Sequence, residues 1–364
     1  MKRNFLIILF ILSSVMYISI STDIFPAERD KDYDRAFSGK SGWTGADGTY
    51  SIPLSNGRTM WLFGDTFIGE VDRSGKRSKE TVLINNSIAI QEGKDPSTIK
   101  FIYGGTEEKP ESFFIPPDGK GFFWIYDAIP DRGDGKIIVF LPQLELSGEG
   151  IFGFYQTGNW TADVLIEGNK CSVKNYKKLP YFQEKDGEKP AIAFGASVLV
   201  EEDWTYIYGT EDYEFTKNLI LARIKSGSIP SESPWEFHTG TGWSKNLSDC
   251  KPVFKEVGNE LSVHKNTDGR YILTTQKNGS GSDVEIIFGT SPQGPWTAPV
   301  TVWHIEESND RIFSYNAKAH PELSDTEKGL LISYNVNAWN FDDLYLDNTI
   351  YRPRFIRVRL DSEQ

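Results

Sequence analysis

Short runs of alternating apolar and polar residues recur along almost the whole chain, broken every few positions by Gly, Asn, Asp or Pro. No long segment repeats its apolar residues with the 3.6-residue period of a helix. Alternation with period two marks a strand with one buried face, so the pattern predicts an all-β fold. The clearest pair of strands runs from Gly42 to Leu54 and from Thr59 to Thr66, on either side of Ser55-Asn56-Gly57-Arg58. Asn-Gly between two such runs is a strong hairpin signal, because both residues tolerate the positive φ of a tight turn. A hairpin there pairs Ser55 with Arg58 and brings Asp47 within one rung of Asp65 at its open end. A strict two-residue turn puts these two acids on opposite faces, whereas a three-residue turn with a bulge puts them on the same face. Gly45, Gly48 and Gly64 crowd this end and let the backbone bend or be approached closely.

The strand-like runs group into five units, opening near residues 43, 112, 193, 260 and 315. Each interval suits one four-stranded sheet with its loops. Radial repetition of small antiparallel sheets is how a propeller disposes of its edges. The expectation is a five-bladed β-propeller of four-stranded antiparallel sheets, forming one domain over 41–364. A β-sandwich or two stacked β-domains is the alternative, but it does not readily explain the recurring hairpin-plus-strand order. Residues 22–40 are polar and charged and read as a leader into the first blade.

Residues 1–21 read as a signal peptide: Lys2 and Arg3, an apolar core from Phe5 to Tyr17, then small polar residues. Nothing later is long and apolar enough to span a bilayer, so the expected location is secreted or periplasmic. In an exported chain Cys171 and Cys250 form one disulfide or remain two buried thiols; spacing does not decide between them. The net charge of −12 argues against nucleic acid and anionic membranes as partners and fits a neutral or cationic ligand. Aromatic residues make up 13 %, including ten Trp, which suits both sheet packing and stacking on sugar rings.

In a propeller the ends of the innermost strands share one funnel. The first strands carry Asp47, Glu260 and Asn316 near their starts, and the second strands end in Asp65, Asp127, Glu211 and Gln276. Converging carboxylates suit glycoside hydrolysis, which needs one protonated carboxyl as acid and one carboxylate as base or nucleophile. Asp47 and Asp65 are the expected catalytic pair, with Glu211 and Glu260 as candidates for a third acid. Trp43, Trp124 and Trp339 are candidates for stacking on sugars, and Asp127, His264, Asn316 and His320 for binding hydroxyls; packing or turn roles are the alternative for each. The four His have no zinc-like spacing, and no phosphate loop, nucleophile elbow or dinucleotide fingerprint is present, so no cofactor or metal is expected. The acidic loops at Asp342, Asp343, Asp347 and at Asp131, Asp134 match no calcium-loop spacing and read as solvated turns.

The run Trp43-Thr44-Gly45-Ala46-Asp47-Gly48-Thr49-Tyr50-Ser51-Ile52-Pro53-Leu54, followed by Leu62-Phe63-Gly64-Asp65-Thr66-Phe67, resembles the opening of a family of secreted five-bladed propellers first catalogued as a domain of unknown function. Asn85-Asn86-Ser87-Ile88-Ala89, Tyr315-Asn316-Ala317-Lys318-Ala319-His320-Pro321 and Leu331-Ile332-Ser333-Tyr334-Asn335 resemble later landmarks of the same family. Some members of this wider group are endo-D-arabinanases. More distant relatives by architecture are furanosidases and fructosyl-processing propellers with acids on their inner strands. The resemblance implies that Asp47 and Asp65 match the acidic pair of the arabinan-cleaving members; it does not transfer the substrate, and the expected partner is a polysaccharide or oligosaccharide, with a furanose-containing, arabinan-like chain as one candidate. A carbohydrate-binding propeller without turnover is the rival reading.

Overall fold

The structure is a computed structural model describing residues 25–148, 153–168, 170–213, 216–325 and 327–360. The signal-peptide expectation for 1–21 and the start of the leader lie outside the described residues.

The hairpin is present as strands Ser41–Pro53 and Arg58–Glu70. Its turn has three residues. The Leu54 amide donates to Arg58 O at 2.9 Å and the Gly57 amide to Leu54 O at 3.1 Å, so Leu54 rather than Ser55 faces Arg58. Gly57 takes the left-handed conformation, φ +79°. The ladder slips between Trp43 and Gly45, between Ala46 and Gly48, and between Gly48 and Tyr50. The outer two add a residue to the first strand, Thr44 and Thr49, whereas the middle one sets Asp47 alone against Gly64 and Asp65 and so adds a residue to the second strand; each redirects the side chains after it.

Five antiparallel sheets follow one another around an axis, forming a five-bladed β-propeller. The first blade orders Ser41–Pro53, Arg58–Glu70, Ser87–Glu92 and Lys100–Ile102, with Val82–Ile84 also on the second strand. The second orders Ala128–Ile129, Lys136–Leu146, Phe154–Glu167 and Lys170–Lys178. Its innermost strand is short and irregular. The 112–115 run expected to open it is a loop, pinned where buried Asn86 donates to Phe114 O and Phe123 O at 3.0 and 2.8 Å. The third blade starts with Ala191–Val200, Trp204–Asp212 and Lys217–Lys225, and its path runs to five strands rather than four. The fourth orders Ser262–Lys265, Tyr271–Gln276, Asp283–Gly289 and Val300–His304.

The fifth blade closes the ring. Ile312–Ala319, Leu330–Ala338 and Pro353–Val358 are followed not by a later strand but by Ala27–Arg29 from the N-terminal segment. The polar stretch read as a leader into the first blade is thus, from residue 25 on, the outer edge of the last blade. Its charges hold the closure. Arg357 donates to Asp30 at 2.8 Å, the Phe355 amide to Asp34 at 2.9 Å, and Arg29 pairs with Asp34 and Glu307 at 2.7 and 2.8 Å. A short helix, Lys31–Ala36, follows, capped where Asp30 accepts from the Asp32 and Tyr33 amides. No helix among the described residues is long and apolar enough to cross a membrane.

Apolar side chains fill the seams between blades. Phe37, Trp43, Trp61, Phe63 and Phe355 form the seam where the last blade meets the first. The inner strands are tied across the axis: Tyr50 donates to Ala196 O at 3.2 Å, the Val263 amide to Ser197 at 2.9 Å and the Ala319 amide to Ser262 at 2.8 Å. Cys171 and Cys250 are both free thiols, which removes the disulfide alternative.

Candidate active site

The bulges that bend the first inner strand bring Asp47 to Asp65. Asp47 Oδ1 lies against Gly64; a Cβ there would stand 2.4 Å from it, so only glycine fits beside the two acids. Asp47 Oδ2 accepts from the Tyr315 hydroxyl at 2.8 Å and the Tyr351 hydroxyl at 3.1 Å. Asp65 Oδ1 accepts from Trp124 Nε1 at 2.9 Å and Asn85 Nδ2 at 3.2 Å. In both acids the donors converge on one oxygen. Among the described residues, no hydrogen bond reaches the other.

Two further acids face the same space. Glu260 accepts from Asn316 Nδ2 at 2.9 Å and from Lys318 Nζ at 2.6 Å. Asp127 accepts from the Ala128 and Val198 amides at 2.8 and 2.7 Å, and so stitches the second inner strand to the third.

This geometry is held under backbone strain. Thr49, Asn316 and Tyr351 adopt φ of +65°, +60° and +64°. A left-handed conformation costs a non-glycine residue about 1–3 kcal/mol and persists only where the surroundings impose it. For Tyr351 the surroundings include Arg77, which is buried with its guanidinium donating to Thr44 O at 2.9 Å and Ile350 O at 3.2 Å, and also to Leu344 O. Arg77 thus straps the segment before Tyr351 onto the strand that carries Asp47.

Each acid keeps some accessible surface, yet protein surrounds it closely enough for lost hydration to dominate its ionisation. Burial, then the charges of Asp65 and Glu260, push Asp47 up to about 8, against the two tyrosine hydroxyls. Burial raises Asp65 to about 6, with Trp124 and Asn85 opposing. Burial raises Asp127 to about 7, opposed by its two amide donors, and raises Glu260, where Lys318 works the other way. Near neutral pH one carboxyl therefore holds a proton beside another that has lost its own, the division of labour that acid–base catalysis requires.

Of the residues expected from sequence, Asp47, Asp65, Asp127, Glu260, Asn316 and Trp124 come together. Trp339 lies at the rim, half exposed, with its ring 4.4 Å from Phe313, which lies 5.5 Å from Tyr315. The others lie elsewhere. Trp43 is 3 % exposed and stacked on Phe101 at 4.3 Å; the seam takes it because its strand face turns toward the last blade. His320 is fully buried between Ser51 at 2.6 Å and Ser333 at 2.8 Å, a packing role. His264 is buried, and the lack of hydration pushes it down to about 4. Glu211 accepts from Asn218 at 3.2 Å, on the strand face opposite Thr210, whose hydroxyl is the one that meets Tyr126. Gln276 is spent on backbone contacts with Gly281 and Ala317.

Asn85, Tyr315, Lys318 and Tyr351 are site residues with no role assigned from sequence. The first three lie in the landmark runs; Tyr351 has no local signal. The acidic loops are turns: Asp131 accepts from the Gly133 and Gly135 amides, and Asp343 pairs with Arg311. Among the described residues no group of three or more His, Cys, Asp or Glu is arranged to hold a metal ion.

The fold is shared with solved structures. A presumptive hydrolase of Bacteroides ovatus superposes with a TM-score of 0.75 at 20 % identity, over 91 % of this chain and 90 % of that one. Levansucrase from Bacillus subtilis superposes with a TM-score of 0.50 at 12 % identity, over 91 % and 88 %. An alpha-L-arabinofuranosidase of Podospora anserina gives 0.48 at 11 % identity, over 88 % and 92 %. Comparison with curated protein sequences returns no match. The family described as Domain of unknown function (DUF5005) matches residues 30–360, and the chain belongs to that family.

Proposed function

We propose that the protein is a glycoside hydrolase acting on a polysaccharide. The observation that carries this is the Asp47–Asp65 pair: two adjacent carboxyls, each with one oxygen held by donors, and with unequal proton affinities. Asp47 is the proton donor to the glycosidic oxygen as the bond to the anomeric carbon breaks. Asp65 is the carboxylate that acts as base toward water or as nucleophile. The negative charges of Asp127 and Glu260 favour the positive charge that develops on the sugar. Trp124, whose indole also bonds Asp65, and Trp339 at the rim offer aromatic faces to sugar rings. A furanose-containing, arabinan-like substrate is supported by the resemblance of the opening motif. Export to the medium or periplasm is supported by the pattern of residues 1–21.

The test is a screen of purified protein against plant and bacterial polysaccharides, with D47N and D65N alongside. The expected result is release of reducing ends by the wild type and loss of turnover in both variants with binding retained. Wild-type binding without any release, unchanged in D47N, would mean a carbohydrate-binding module instead.

A further inference from the structure

Lys318 is the cation of the acid cluster, and the hydrolytic steps have no use for it. It is 1 % exposed, on the inner strand of the fifth blade. Its ammonium lies 2.6 Å from Glu260, 3.2 Å from Asn316 O and 4.4 Å from the Tyr50 ring centre. A lysine this deep carries its charge only when a partner compensates the lost hydration. Glu260 supplies the partner, and Asn316 orients both: its amide holds Glu260 Oε1 while its carbonyl receives the ammonium.

We propose that Lys318 is a positioning residue that keeps Glu260 ionised, and that ionised Glu260 in turn keeps the proton on Asp47. The catalytic consequence rests on the glycoside hydrolase reading; the ionisation order does not. The charged and titratable groups that face Lys318 are Glu260 on the approach to the fourth blade, Asp47 and Tyr50 on the first inner strand, and Asp127 in the second blade. His320 follows it on its own chain and is held neutral by burial. Among these groups Lys318 is the cation; burial lowers its proton affinity, and Glu260, by its charge and its hydrogen bond, opposes that. The Lys318 charge attracts the ionised form of Glu260 first, then those of Asp47 and Asp127, whereas the charge of Glu260 opposes ionisation of Asp47. The pair thus assigns fixed negative charge to one side of the cluster and the mobile proton to the other.

The test is carboxyl-carbon NMR of the full chain labelled in Asp and Glu, titrated without substrate. In K318M the Glu260 midpoint is expected to rise by at least about one pH unit, a tenfold gain in proton affinity, and K318R is expected to restore it. In E260Q the Asp47 midpoint is expected to fall. Kinetically, K318M and E260Q should each lower kcat more than they raise KM, and the double variant should be no worse than either single one. An unchanged Glu260 midpoint in K318M, or an unchanged Asp47 midpoint in E260Q, overturns the proposal even if the enzyme is active. The predicted midpoint shifts with no turnover by the wild type would instead sink the hydrolase reading and leave this one standing. Should K318M not fold, the wild-type side-chain nitrogen signal of Lys318 decides: an ammonium at pH 6 supports the ion pair, and a neutral amine refutes it.

Discussion

Replacing Asp47 with Asn tests the electrostatic argument and the catalytic one together. The amide oxygen of Asn still accepts the Tyr315 and Tyr351 hydroxyls, so the site keeps its shape while losing an ionisable group. In the folded chain Asp47 stays protonated until about pH 8, against a reference value of 3.8. The unfolded chain therefore releases this proton first. The stability tied to Asp47 is fully present below about pH 4 and is lost as the pH rises through 8. At 1.36 kcal/mol per unit, that loss has a ceiling of about 5 kcal/mol between pH 4 and pH 8, and roughly half that if Asp65 and Glu260 take up protons in its place. For a chain of this size the unfolding entropy is about 0.7 kcal/mol/K, so the ceiling corresponds to about 7 °C. Calorimetric Tm values across pH 4–8 should show D47N gaining on the wild type by about 3–7 °C, while its turnover falls by orders of magnitude. Parallel Tm curves would show that Asp47 ionises normally, and the acid assignment would fail with them.

A bell-shaped dependence of kcat/KM on pH is expected, with an acidic limb near 6 from Asp65 and a basic limb near 8 from Asp47, the pair titrating together; activity that keeps rising above pH 9 would exclude Asp47 as the acid. Y351F removes a donor that favours the ionised form, so its basic limb should move to higher pH; an unmoved limb would mean that Tyr351 only packs. W339A should raise KM for polymeric substrate with little change in Tm. W43A should lower stability by about 3–5 kcal/mol, the usual cost of truncating a buried aromatic, with KM unaltered; the opposite pattern in the two tryptophans would invert their assignment. H320A should likewise cost stability, since it strands the buried Ser333 hydroxyl, and it should leave the pH profile where it was.

The sequence alone determined what neighbouring residues settle between themselves. The two-residue period made the chain β, the five recurring units made it a propeller, and Asn-Gly with its flanking runs made the hairpin that joins Asp47 to Asp65. Each of these depends on side chains within a turn or a rung of one another, so the information is local. Tertiary structure decided the rest, because burial and electric field are sums over residues far apart in the chain. Trp43 and Trp339 both lie at the mouth end of a strand pair, yet one is sealed against Phe101 and the other is half in solvent. Glu211 and Glu260 looked equivalent at strand ends, but only Glu260 meets Asn316 and Lys318 from the next blade. The 22–40 stretch read as a leader because it is polar and charged; what makes its described part a blade edge is the pairing of Asp30 with Arg357 and of Asp34 with the Phe355 amide, more than 300 positions later. Tyr351 reaches Asp47 only because Arg77 straps a distant segment down and holds it in a left-handed turn that no local pattern announces. The proton affinity of Asp47 combines these contributions: residues of the first, fourth and fifth blades each shift it, and only closure of the ring brings them within range.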